Sequence, residues 1–88
     1  MNVRAYLDGA KRGDFQWECI ESGGDGATVD VEETELKKRY ATIRRFDSKT
    51  FLAEVTLEDG YDEKEFTSRG KARQWCEKLI KKDIDITS

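Results

Sequence analysis

Carboxylates are the most abundant reactive side chains in this 88-residue sequence, nineteen Asp and Glu against sixteen Lys and Arg. Several stand side by side: Glu32 with Glu33, Glu58 with Asp59, Asp62 with Glu63. Such a pair can act as acid and base when an enclosed site pushes the two pKa values apart. The chain has no histidine, which removes the commonest general base and the commonest metal ligand together. Cys19 and Cys76 lack Cys-x-x-Cys spacing, so no zinc site is expected, and a thiol nucleophile would lack its usual imidazole. The run Ser22-Gly23-Gly24-Asp25-Gly26 does not end in Gly-Lys-Ser/Thr, as a phosphate loop must. It also lacks the alternating Asp/Asn and distal Glu of a calcium loop. The expectation is no enzyme, no metal and no cofactor, with the adjacent acids as solvated surface.

Recognition is what remains for these charges. Residues 1–35 carry three cations against nine acids, and residues 36–82 carry thirteen against eight, beneath a net charge of −3. Separation of this kind creates opposed surface potentials that steer partners. On the acidic side, Asp25, Asp30, Glu32, Glu33 and Glu35 form the expected protein-binding segment. It would dock on a basic, nucleic-acid-binding patch of another protein, with complementary charge setting the on-rate. The alternative is a nucleic-acid-binding module using Tyr40, Arg44, Arg45, Arg69, Arg73 and Lys78, with Arg for phosphate or guanine and Tyr for stacking.

A chain this short builds one hydrophobic core, so residues 1–88 are read as a single domain. No apolar run approaches the roughly 18–20 residues of a membrane span, and the first residues lack a signal-peptide pattern. The expected compartment is the cytoplasm, with both cysteines as buried thiols.

Several elements must position the charges. Val3–Leu7 reads as a strand, followed by a polar connection over 8–14. Phe15–Ile20 alternates, with Phe15, Trp17 and Cys19 inward. Residues 27–38 combine β character with helix formers, and an acidic, exposed strand is preferred over a short helical turn. Tyr40–Phe46 and Phe51–Leu57 are strands, the second placing Phe51, Ala53, Val55 and Leu57 on one face and Glu54, Thr56 and Glu58 on the other. Asp59-Gly60 is the dipeptide of a type I′ hairpin leading to a strand over Tyr61–Phe66. Thr67 or Ser68 then caps a helix over 68–82. Its stripe is Ala72, Trp75, Cys76, Leu79 and Ile80, and Arg69, Lys71, Arg73, Lys78, Lys81 and Lys82 lie away from that stripe. Residues 83–86 alternate as an edge strand or a frayed tail. The fold class is α+β: an antiparallel sheet of about five strands, ending in a three-stranded meander and packed by one C-terminal amphipathic helix.

Within residues 50–82, the string Phe51-Leu52-Ala53-Glu54-Val55, then Asp59-Gly60, Lys64-Glu65-Phe66-Thr67-Ser68, Ala72 and Trp75, resembles the arm-type DNA-binding domain of tyrosine recombinases. That family is similar to the plant AP2 domain, three antiparallel strands backed by a helix. The resemblance covers about half the chain. It implies a sheet face, opposite the helix, that enters the DNA major groove. Ser68-Arg69-Gly70-Lys71-Ala72-Arg73 resembles, less fully, part of the double-stranded-RNA-binding domain, whose lead-in helix is missing here. The family would place Tyr40 and Arg44 toward DNA and points to a mobile-element origin, yet Glu54 and Glu58 lie on the face that should meet phosphate; small acidic inhibitors from viruses and mobile elements dock on basic surfaces instead. The preferred reading is therefore a small regulatory or accessory protein that binds a protein partner with a basic surface. Nucleic acid is the alternative, and no membrane is expected.

Overall fold

The alternating segments of the sequence become six antiparallel strands joined in chain order: β1 (Ala10–Arg12), β2 (Phe15–Ser22), β3 (Val29–Leu36), β4 (Arg39–Arg45), β5 (Phe51–Thr56) and β6 (Tyr61–Phe66). Helix α1 (Arg69–Thr87) follows and lies across one face of the sheet. The computed structural model describes residues 10–23 and 29–87. The strand expected over Val3–Leu7 and most of the glycine run at 22–26, Asp25 included, lie outside the described residues.

Two tight turns set the register of β1 on β2 and of β3 on β4. Gly13-Asp14 joins β1 to β2, with Gly13 at φ 64°, a conformation glycine adopts without steric penalty. Lys37-Lys38 joins β3 to β4, with φ of 50° and 71°, the positive pair that a type I′ turn requires. Lysine is a poor residue there, and Arg39 Nη1 supports the turn by donating to the Lys37 carbonyl at 2.7 Å. The expected type I′ turn at Asp59-Gly60 does not form. Thr56 pairs with Tyr61, leaving a four-residue loop in which the Leu57 N–H donates to the Gly60 carbonyl at 2.8 Å. Neither Asp59 nor Gly60 has positive φ.

Three further expectations change. Among the described residues the sheet has six strands rather than the expected five or so, because the polar connection over 8–14 contains β1 and its turn. Within residues 27–38, Val29–Leu36 form a strand, with no helical turn among the described residues. Helix α1 continues to Thr87, so residues 83–86 are helical rather than an edge strand. Ile84 falls one turn beyond Ile80 and extends the apolar stripe, which is why the helix persists. Ser68 is the cap: its Oγ accepts the Lys71 N–H at 3.4 Å, and its carbonyl accepts the Ala72 N–H at 3.0 Å.

The core lies between α1 and the sheet. Phe15, Trp17, Ala41, Ile43, Ala53 and Val55 from the strands meet Ala72, Cys76 and Ile80 from the helix. Trp75 and Leu79 are half-buried at the margin of this cluster, and Trp75 packs on Phe66 with ring centroids 5.6 Å apart. Phe15 and Trp17 point inward as the alternation predicts, while Cys19 is only half-buried. Neither cysteine is in a disulfide. Burial pushes the Cys76 thiol up to about 12, which makes it inert as a nucleophile.

Candidate functional site

Alternation divides the strand residues between two faces, and the registers place them in rows. On the helix side, Glu32 lies opposite Ile43 and beside the core, only 3% exposed. Its carboxylate takes two hydrogen bonds from Arg73, at 2.5 and 2.8 Å, with Arg69 at 3.9 Å. Arg69 also donates to the Val29 carbonyl and stacks over Phe51, 5.0 Å from the ring centroid. Two more latches tie the helix to the sheet. Glu77 accepts from Arg12 Nε and from Trp17 Nε1, both at 2.8 Å. Asp83 accepts from Arg39 Nε at 2.8 Å and from the Glu58 N–H at 3.2 Å. The Arg39 hydrogen bond, then the Glu58 N–H, hold the Asp83 carboxyl below the usual aspartate range.

These contacts correct the expected sites. Glu32 belongs to the helix interface and not to an exposed acidic segment, because the period of two turns it inward while Glu33 turns outward. Asp30 is half-buried and faces Arg45 at 3.6 Å. Arg69 and Arg73 do not lie on the solvated back of the helix. They flank its apolar stripe, one turn apart, and reach across to Glu32. Arg45 is also engaged through the Asp47 carbonyl at 3.1 Å. Lys78 is exposed on the helix, and Tyr40 and Arg44 are exposed on the opposite side of the sheet. The residues expected to bind nucleic acid thus fall on separate surfaces, and three of the five cations are engaged in internal ion pairs.

The outer face is built differently. Cross-strand register aligns Glu18, Glu33, Thr42, Glu54 and Glu63 in one row across β2 to β6. Flanking rows run Glu35, Tyr40, Thr56, Tyr61 on one side and Glu21, Val31, Arg44, Leu52, Glu65 on the other. Adjacent strands lie about 4.8 Å apart, so Glu18 directly opposes Glu33, and Glu54 directly opposes Glu63. Among the described residues seven carboxylates occupy this face: Glu18, Glu21, Glu33, Glu35, Glu54, Glu63 and Glu65. Arg44, with Lys11 at the β1 end, supplies the opposite charge among the described strand residues. Gln16, Glu18, Glu33, Glu35 and Tyr40 line a shallow depression of about 250 Å³. Tyr61 Oη donates to Glu54 at 2.7 Å and lies 3.2 Å from Glu63. Acceptance by Glu54, followed by the neighbouring negative charge, raises the Tyr61 pKa well above its ordinary value.

Chemically, this face attracts cations. Its carboxylates stand open to solvent, without the enclosure that separates acid from base in a catalytic pair. Among the described residues no group of three Asp, Glu or Cys converges as a metal site. None of the helices among them is long and apolar enough to cross a membrane.

Glu33 and Glu35 belong to the expected acidic segment and Glu54 to the expected outer face, whereas Glu18, Glu21, Glu63 and Glu65 were not singled out from the sequence as site residues. The neighbours that matter are not adjacent in the chain. Glu32 and Glu33 diverge to opposite faces, as do Asp62 and Glu63, whereas the opposed pairs come from different strands. The signal present in sequence was alternation within each strand, Glu18 between inward Trp17 and Cys19, and Glu54 between inward Ala53 and Val55. Charge also follows the two faces of the sheet and not the two halves of the chain, since acids from both halves meet in the same rows. Comparison with known proteins finds no matching family model, no matching curated protein and no matching solved structure.

Proposed function

We propose that this chain is a small, non-enzymatic, cytoplasmic binding protein whose outer sheet face docks on a basic surface of a protein partner. The observation that carries this reading is the row Glu18, Glu33, Thr42, Glu54, Glu63, in which two carboxylate pairs stand directly opposed. Like charges in that position destabilise a sheet. A cationic partner converts the repulsion into attraction, and a field of one sign accelerates encounter. Tyr40 and Tyr61, 50% and 58% exposed, add apolar area with a polar tip amid the acids, the residue type enriched at interface hot spots.

Basic surfaces that ordinarily hold nucleic acid fit this face best, so the proposed role is regulatory, by occupying such a surface. Duplex binding through the same face, as the recombinase resemblance would imply, is opposed by seven carboxylates facing phosphate. The test pairs capture with competition. Immobilised wild-type protein should retain a partner that elutes with salt, and Glu33→Lys with Glu54→Lys should retain none of it. Retention by both forms, or tight duplex binding by the wild type that Arg44→Glu abolishes, would remove the reading.

A further inference from the structure

The docking face ends at a strand that is open on three sides. Among the described residues β6 is the last strand of the sheet, and Tyr61 to Glu65 are all exposed. Helix α1 covers β4 and β5 but leaves Asp62 and Lys64 in solvent on its own side of the sheet. The Glu63 N–H does not enter the ladder with β5; it donates to its neighbour Asp62 Oδ1 at 2.9 Å. Beside the strand, Thr50, Lys64, Glu65, Phe66, Thr67 and Lys71 border a groove of about 400 Å³.

Resting on the docking reading above, we infer that β6 accepts an extended basic segment of the partner as a seventh, antiparallel strand. Alternate side chains of that segment would fall on the outer face beside Glu63 and Glu65, where Lys or Arg completes the acidic rows. The intervening side chains would fall beside Phe66 and Lys64, where apolar residues fit. Main-chain hydrogen bonds supply affinity in this mode, and alternating side chains supply selectivity.

The charges on β6 also say what the edge refuses. Two copies paired edge to edge in one continuous sheet must set outward residues opposite outward residues. The two longest antiparallel registers then oppose Glu63 to Glu63, with Asp62 against Lys64, or Glu63 to Glu65, with Lys64 against Lys64, of the second copy. The second sets like charges opposite at each of these positions, which disfavours it, and the first keeps Glu63 against Glu63 at its centre, where a charged edge guards against self-association. An added strand of opposite charge relieves those carboxylates in either position, so they favour a basic partner over the copy.

The experiment uses the full chain and a synthetic peptide alternating lysine with valine. The peptide should bind at low salt and slow amide exchange at Glu63 and its edge neighbours. N-methylation of alternate peptide nitrogens should weaken it about tenfold, the equivalent of one or two net hydrogen bonds. Glu63→Lys with Glu65→Lys should abolish binding. Unchanged affinity after N-methylation, or protection confined to β2 and β3, overturns the strand-addition mode. A folded basic protein that binds through Glu33 and Glu54 while the peptide does not would sink this inference alone. Failure of both ligands sinks the docking reading with it.

Discussion

On the helix side of the sheet, Glu32 meets Arg73, Glu77 meets Arg12 and Asp83 meets Arg39. On the outer side, Glu18 meets Glu33 and Glu54 meets Glu63. The same side-chain chemistry is satisfied on one face and left repulsive on the other. Inside, each carboxylate has an arginine and fixes the docking of α1. Outside, Arg44 and Lys11 are too few to neutralise seven acids, and the imbalance is available to a partner. In the proposed reading, stability and recognition reside on opposite sides of one sheet, and substitutions should affect them in opposite directions.

The largest expected effect is on the helix side. Glu32→Ala would leave Arg73 and Arg69 half-buried beside an absent counter-charge, at a cost of about 3–5 kcal/mol. Urea unfolding would read the loss as a lowered midpoint. Replacing both members, Glu32→Met with Arg73→Leu, should recover most of it, because removing a buried pair together strands no charge. Equal destabilisation by the single and double changes would show that packing, and not charge, makes this contact.

The Lys37-Lys38 turn comes next, because it sets which carboxylate faces which way. A one-residue slip of β3 would exchange Glu32 with Glu33. Left-handed geometry costs an ordinary residue about 1–2 kcal/mol, so Lys37→Asn with Lys38→Gly should raise the thermal midpoint and leave the register intact. A lowered midpoint would mean that the lysines contribute contacts outweighing their backbone strain.

Smaller still is the effect of the outer rows on folding. Glu33→Gln or Glu54→Gln should stabilise the free protein by about 0.2–1 kcal/mol through relief of cross-strand repulsion, while weakening partner binding in calorimetry. Destabilisation together with unchanged binding would erase the contrast between the faces. The last prediction concerns acid. Because the folded pKa of Asp83 is depressed, its stabilising contribution is complete above the unfolded value of about 3.9 and is lost as pH falls through the folded pKa. The midpoints of wild type and Asp83→Asn should therefore converge as pH falls below about 4.

Much of this architecture was legible in the residue pattern. The alternation of Phe51, Ala53 and Val55 identified β5 and its inner face, and the spacing of Ala72, Cys76 and Ile80 identified α1 and what it covers. Less legible were the short strand β1, hidden in a polar stretch, and the turn at Lys37-Lys38, since lysine is no marker for positive φ. The tail at 83–86 read as an edge strand or a frayed end because Asp and Ile alternate there. Ile84 on the helical stripe and Asp83 on Arg39 made it helix.

By itself the sequence determined the class of each main element and which apolar residues would be inside, because those depend on period and on burial of neighbours a few positions apart. It could not decide the fate of an individual carboxylate. Whether a Glu is latched by an arginine or set against another Glu depends on register between strands and on where a distant helix comes to rest. Those are contacts between residues far apart in the chain, and they exist only once the sheet and helix have packed.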